Sequence, residues 1–240
     1  MPESPGDDAA GPASSDAVGA VLFDVDGTLM DTVYLHTVAW SEALRQQGAQ
    51  VAMARIHRSI GMGSDHLLDA LLGEERDHGG DAALSAAHDT LYAQYWSRLA
   101  PLPGAHDLLR ACAARGWRVV LASSAKKNEA EVMIRALDAG DAIAAVTTAS
   151  DVSSSKPAPD LVEQALDKAG VPAEHAVFVG DAAWDGQAAR RAGVRCLGVL
   201  TGGWTRQELH ESGMETVYDS PAELLTRLDD SVLAAPPDRA

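Results

Sequence analysis

Short apolar runs alternate with amphipathic stretches along most of this chain. Ala20-Val21-Leu22-Phe23, Trp117 to Ala122, Ala142 to Thr147, Ala176 to Gly180 and Arg195 to Leu200 have strand length and are predicted to be buried strands. The last four are separated by helix-like spacing over His106 to Arg115, Asn128 to Asp138, Pro159 to Ala169 and Trp184 to Ala192. Gly116, Gly140, Gly170 and Gly193 fall just after these helices, where a left-handed cap favours glycine. Strands alternating with helices predict an α/β fold with a parallel sheet covered on both faces.

The stretch from Asp31 to Ala100 breaks the alternation. It carries helical patterns, among them Tyr34 to Gln47 and Leu84 to Leu99, and no convincing strand. An all-helical insert directly after the first strand is expected. Ligands of open parallel sheets bind at the carboxyl ends of the strands, so such an insert would sit over the site as a lid. The expected organisation is a core of residues 19–30 and 101–232 and a helical cap of residues 31–100. Residues 1–18, rich in Pro, Gly, Ser, Ala and Asp, are expected to be disordered, and residues 233–240 a frayed tail.

Composition narrows the setting. The 240 residues suffice for one domain with a smaller insert. A formal net charge of −16 disfavours nucleic acid and anionic membranes as partners. The same charge would repel a phosphorylated ligand, so the site must supply its own positive charge. Cys112 and Cys196 sit in apolar runs without metal-ligand spacing and read as buried thiols. The acidic N-terminus lacks the apolar stretch of a signal peptide, and no apolar run is long enough to span a bilayer. A cytoplasmic location is the expectation.

Four positions carry the chemistry. Asp24-Val25-Asp26-Gly27-Thr28-Leu29 places two carboxylates at the end of the first strand. A hairpin turn there would need a pairing strand, and the next segment is helical. A calcium loop is excluded because Gly27 comes too early and Leu35 stands where the final glutamate belongs. Ser123-Ser124 at the end of the second strand could bind an anion or merely cap a helix. Lys156, before Pro157, could neutralise a phosphate or lie on the surface. Asp181 closes the fourth strand, and Asp185 could act with it or merely favour the next helix N-terminus. Together they place four acids, two hydroxyls and a lysine at the carboxyl ends of three parallel strands. Hard oxygen donors of this kind suit Mg²⁺.

With these motifs in order from Asp24 to Asp185, the chain resembles the haloacid dehalogenase-like superfamily, whose core is Rossmann-like. The insert resembles that superfamily's small helical cap. The resemblance implies that Asp24 attacks phosphorus and forms an aspartyl-phosphate. It implies that Asp26 protonates the leaving oxygen and then activates water. Ser123, the Ser124 backbone N–H and Lys156 would hold the transferring oxygens. Asp24, Asp181 and the Asp26 carbonyl would ligate Mg²⁺, with Asp185 bound directly or through water. The implied function is a phosphatase acting on a small phosphorylated metabolite, as a monomer or weak homodimer.

Other chemistry in the superfamily fits less well. Its dehalogenases and phosphonate-cleaving members lack the second acid of the first motif, and Asp26 is present. Asp31-Thr32, His36, Ala122-Ser123 and Ser155 to Asp160 resemble β-phosphoglucomutase. Against that reading, Ser64 stands where the mutase has an arginine, and Gly180-Asp181 where it has Glu-Asp. A non-catalytic, receiver-like phosphate binder is disfavoured because no catalytic acid is missing. His36 could approach Asp26 or pack on a helix. Arg55, His57, Arg58, His66, His88 and Arg98 are the cap residues that could face a substrate, with Gly61-Met62-Gly63-Ser64 as a specificity loop or a plain turn. Hinges are expected near Asp31 and Leu102.

Overall fold

A computed structural model describes residues 19–237. The expected disorder of residues 1–18 lies outside these, as do residues 238–240 of the expected tail. Among the described residues six strands form one parallel sheet in the order β3-β2-β1-β4-β5-β6. They are β1 (Ala20–Phe23), β2 (Arg118–Ala122), β3 (Ile143–Thr147), β4 (Ala176–Gly180), β5 (Arg195–Val199) and β6 (Thr216–Tyr218). The hydrophobic pattern does not predict the short β6. Three residues at a sheet edge carry too little hydrophobic pattern to stand out.

The helices are α1 (Val33–Gln46), α2 (Met53–Ser59), α3 (Ser64–Leu72), α4 (Asp81–Ala93), α5 (Ala105–Ala114), α6 (Lys127–Leu137), α7 (Asp160–Ala169), α8 (Ala183–Arg191), α9 (Arg206–Ser212) and α10 (Pro221–Thr226). The helix expected over Leu84 to Leu99 starts earlier, at Asp81, and ends at Ala93, before a single tight turn at Trp96–Arg98. Left-handed glycines follow α5, α7 and α8 at Gly116, Gly170 and Gly193. Gly140 does not serve α6. Asp138 takes the left-handed conformation itself, at φ 50°. A short polar side chain tolerates that region better than most.

Side chains alternate across β1, which lies at the centre of the sheet. Val21 and Phe23 enter one apolar layer with α5 residues Leu108, Leu109 and Cys112. Ala20 and Leu22 enter the opposite layer with α7 residues Leu161, Val162 and Ala165. Both cysteines are buried and free. Fully burying a side chain such as Phe23 contributes about 1.5–3 kcal/mol, so the strand is held from both faces. Leu233, assigned to the tail by the sequence, is fully buried in the first layer, and Trp117 Nε1 donates to its carbonyl at 3.0 Å.

Helices α1 to α4 stand apart, over the carboxyl edge of the sheet. They pack on their own apolar cluster, in which Trp40, Leu44, Ile56, Leu67, Leu68 and Leu84 meet. Two chain segments join them to the sheet layer and run side by side. Asp31 N donates to Ala100 O at 3.1 Å, and Leu102 N donates to Leu29 O at 2.8 Å. Among the described residues no helix is long and apolar enough to cross a membrane.

Candidate active site

The sheet order makes β1 the point where the chain switches direction, with β2 on one side and β4 on the other. Crevices form at such points. Phe23 pairs with Leu121 and Val179, so the residues leaving β1, β2 and β4 emerge together. Asp24 N still donates to Val179 O at 2.9 Å. The sheet therefore sets the direction of the Asp24 side chain. Gly27 then turns the chain with φ 85°, and a Cβ there would run into Asp181 Oδ2. A Cβ at Gly202 would run into the same oxygen.

Lys156 lies in the segment before α7 and is completely buried. Its Nζ donates to Asp24 Oδ1 at 2.5 Å and to Asp185 Oδ1 at 2.8 Å. The surface-lysine reading of this residue is therefore excluded. Asp185 sits in the first turn of α8, and its Oδ2 accepts from the backbone N–H groups of Asp181 and Ala182 at 3.1 and 3.0 Å. It caps the helix and anchors Lys156 at once, so the two readings of Asp185 are not alternatives. Thr28 Oγ1 donates to Asp181 Oδ1 at 2.7 Å. Thr28 was not singled out in the sequence, where a threonine after Asp-Gly reads as part of a turn.

These groups form an unbalanced charge cluster. Asp24, Asp181 and Asp185 are buried, and their oxygens converge to within 4.8 Å of one another. One lysine faces three acids. Burial pushes the Asp24 carboxyl up to about 7, against the pull of Lys156 and with the push of Asp185. Burial, then the neighbouring Asp24 and Asp185, raises Asp181 well above the ordinary carboxylate range. Lys156 moves upward, because Asp185 and Asp24 outweigh its desolvation. The cluster lacks positive charge.

Asp26 belongs to a second group on the cap side. Its Oδ1 accepts from Thr32 Oγ1 at 2.6 Å and lies 3.1 Å from His36 Nε2. Burial would raise its carboxyl, but the His36 charge and the two hydrogen bonds outweigh this and hold it low. His36 shifts upward for the reciprocal reason, overcoming its own burial. The ring of His36 also packs on Tyr92, with centroids 3.8 Å apart, so it both packs and reaches Asp26. Its Nδ1 lies 3.1 Å from His88 Nε2. Burial drives His88 down to about 4.

Ser123 and Ser124 follow β2. The Ser123 hydroxyl is buried and accepts from Ala125 N at 3.1 Å. It tightens the turn but does not cap α6, which begins at Lys127. Ser124 Oγ touches the cap through Gly61 O at 3.4 Å.

A model of one family, the haloacid dehalogenase-like hydrolases, matches residues 18–193. The chain belongs to this family. It is 30% identical over 214 residues to a phosphoglycolate phosphatase of Rhodospirillum rubrum, covering 85% of this chain and 88% of that one. A solved hydrolase from Pseudomonas syringae is 37% identical with a TM-score of 0.83, over 88% of this chain and 98% of that one. A CbbY variant from Rhodobacter sphaeroides, solved with xylulose-(1,5)bisphosphate, is 27% identical with a TM-score of 0.72, over 86% and 96% of the two chains.

In this haloacid dehalogenase-like hydrolase a cavity of about 270 Å³ lies between the sheet edge and the cap. Asp24, Asp26, Lys156 and Ser124 line its floor, and Gly61, Met62, Gly63 and Ser64 line its roof. Of the six cap residues proposed to face a ligand, His88 alone lines it. Arg55 binds the Ala70 and Leu71 carbonyls, and His57 lies 2.9 Å from Gly202 O. Arg58 pairs with Glu208 beneath Trp204, His66 meets Ser154, and Arg98 covers Tyr95. Long polar side chains reach whatever acceptor is nearest, and spacing along a helix cannot say which one that is. Glu129, which lines the cavity, was missed for the same reason.

The acid cluster fits a hard divalent cation. Its donors are carboxylate oxygens, they converge, and they carry more negative charge than Lys156 neutralises. Both oxygens of Asp185 are already engaged, which leaves Asp24 and Asp181 as the freer donors.

Proposed function

We propose that this chain is a Mg²⁺-dependent phosphomonoester hydrolase acting on a small phosphorylated metabolite through an aspartyl-phosphate. The observation that carries the reading is Lys156, buried without exposure and donating to Asp24 at the end of the central strand. A buried lysine on one oxygen of an acid aligns that acid and leaves its other oxygen to attack. Thr28 Oγ1 reaches Asp24 Oδ2 at 3.2 Å, a longer contact than the 2.5 Å from Lys156 to Oδ1, so Oδ2 is the less engaged oxygen.

Asp24 forms the bond to phosphorus as the ester oxygen leaves, and Asp26 passes that oxygen a proton drawn from His36, whose Nε2 lies on Asp26 Oδ1 and takes a proton back in the second step. Asp26 then takes a proton from water, which opens the phospho-aspartate and returns Asp24. His36 and Thr32 hold Asp26 in place through both steps. Ser123, the Ser124 N–H and Lys156 hold the phosphoryl oxygens. Asp24, Asp181 and the Asp26 carbonyl would hold Mg²⁺, with Asp185 directly or through water; the bound ion supplies charge opposite the transferring phosphoryl group. The net charge of −16 is consistent with a small-molecule partner in place of nucleic acid or membrane.

Phosphate release from a panel of phosphorylated metabolites, with Mg²⁺ and with EDTA, tests this. Mg²⁺-dependent release from several members is expected. Isomerisation of β-glucose 1-phosphate without net release, read by NMR with a trace of the 1,6-bisphosphate, would replace the hydrolase with a mutase.

A further inference from the structure

Two rings and a carboxylate stand in line behind Asp26. His36 Nε2 lies 3.1 Å from Asp26 Oδ1, and His36 Nδ1 lies 3.1 Å from His88 Nε2. His88 Nδ1 in turn lies 3.2 Å from Asp89 Oδ1. His36 belongs to α1, and His88 and Asp89 belong to α4, so the cap carries the whole array behind Asp26. Both rings are buried and clamped by aromatic faces. Tyr92 stacks on His36 with centroids 3.8 Å apart, and Trp40 stacks on His88 at 4.3 Å. Stacking holds the ring planes. The hydrogen bonds decide which edge of each ring faces which partner.

Donor and acceptor roles follow from the outer end of the line. Against its burial, hydrogen bonds from His88 and Lys126 hold the Asp89 carboxyl low, so near neutral pH it is ionised and can only accept. His88 Nδ1 must therefore carry a proton toward Asp89. Burial keeps His88 down at about 4, so near neutral pH the ring has a single proton and its Nε2 is bare. A bare Nε2 accepts, and His36 Nδ1 must donate to it. The opposite tautomer of His88 would set a bare Nδ1 against the Asp89 carboxylate, two acceptors in contact away from water, which is costly. His36 Nε2 is left facing Asp26, with Glu129 Oε1 of α6 at 3.5 Å as a second acceptor. A histidine free to shed its Nδ1 proton would keep Nε2–H turned to Asp26 and have nothing to exchange with it. His88 prevents this by occupying Nδ1.

We propose that His88 and Asp89 are positioning residues of the hydrolytic reaction: they fix the ring orientation of His36 and hold a proton on its Nδ1, which keeps Nε2 as the nitrogen that exchanges a proton with Asp26. This role rests on the hydrolase reading above.

Two measurements test it. Proton–nitrogen correlation NMR of the histidine rings, with sequence-specific assignment, reads the tautomers in the wild-type protein with Mg²⁺ near neutral pH. His88 is expected with its proton on Nδ1, and Asp89→Ala is expected to move part of it to Nε2. A bare Nδ1 on wild-type His88 overturns the proposal and leaves the hydrolase. The wild-type spectrum decides this even if a variant does not fold. Kinetics read the consequence. p-Nitrophenolate leaves an ester without a proton, whereas the benzyl alkoxide needs one. His88→Phe keeps a stacked ring and removes the acceptor, and His88→Gln removes the ring and keeps an acceptor near the place of Nε2. General acid catalysis contributes about 10²-fold or more, so misplacing the proton donor is expected to make His88→Phe lose about tenfold more kcat/KM on benzyl phosphate than on p-nitrophenyl phosphate. His88→Gln is expected to recover most of that difference. Equal losses on the two esters, or better use of benzyl phosphate by the Phe variant than by the Gln variant, means that His88 only packs; this overturns the proposal while the hydrolase stands. No hydrolysis by the wild type of either ester or of the metabolite panel removes the hydrolase reading and the positioning role with it.

Discussion

His36 Nε2 stands 3.1 Å from Asp26 Oδ1, so a cap helix holds an acid of the sheet edge. The contact keeps Asp26 low and His36 high. Replacing His36 by Gln is expected to raise the Asp26 carboxyl and move the limb of the kcat/KM profile that Asp26 governs to higher pH. The pair also contributes stability over a defined window. Asp26, lowered on folding, contributes above its ordinary value of about 4 and loses this as pH falls. His36, raised on folding, contributes fully below its ordinary value of about 6.5 and loses this as pH rises. The difference in Tm between wild type and His36→Gln should be largest at about pH 5 to 6. A difference independent of pH would count against the ion pair.

Lys156 is the one basic group inside the acid cluster among the described residues, and its loss strands Asp24 and Asp185. Lys156→Ala is expected to cost about 3–5 kcal/mol without Mg²⁺, because uncompensated buried charge remains. Urea unfolding measures it. A cost under about 1 kcal/mol, the range of exposed pairs, would mean that the lysine is not buried in solution.

Asp24→Asn removes the nucleophile with little change of shape. It is expected to abolish phosphate release while the circular dichroism spectrum and melting transition persist. Normal turnover in this variant would sink the proposed mechanism.

Burial and like charge raise Asp24 to about 7 and Asp181 well above the usual range. A carboxyl raised on folding loses stability as pH rises from its ordinary value through its folded one. The metal-free protein should therefore weaken through this site toward pH 8. Mg²⁺ competes with protons for the same oxygens. The gain in Tm on adding Mg²⁺ should be larger at pH 8 than at pH 5.5, and differential scanning calorimetry at both values checks it. An equal or larger gain at pH 5.5 would place the ion elsewhere.

The cap meets the sheet layer through polar contacts, among them Gly63 N to Ser155 Oγ at 3.1 Å and Trp184 Nε1 to Arg58 O at 3.1 Å. If these contacts release on opening, the paired segments at Asp31 and Leu102 would act as the hinge. Hydrogen exchange of α2 and α3 is expected to slow when Mg²⁺ and a phosphate mimic are added. Equal protection with and without them would exclude closure.

The sequence alone determined the α/β alternation, five of the six strands and the gathering of Asp24, Ser123, Lys156, Asp181 and Asp185 at one sheet edge. It could do so because a parallel sheet sends every strand end to the same side, so a motif's place in the alternation is already its place in space. Tertiary structure decided the rest. Lys156 became a buried bridge because the cluster surrounds it, and Asp185 took on two tasks because its two oxygens face different partners. Arg55, His57, Arg58, His66 and Arg98 turned to other acceptors, while Glu129 and Thr28 entered the site unannounced. A long polar side chain goes to the nearest partner, and that partner lies far away in sequence, as Glu208 does from Arg58.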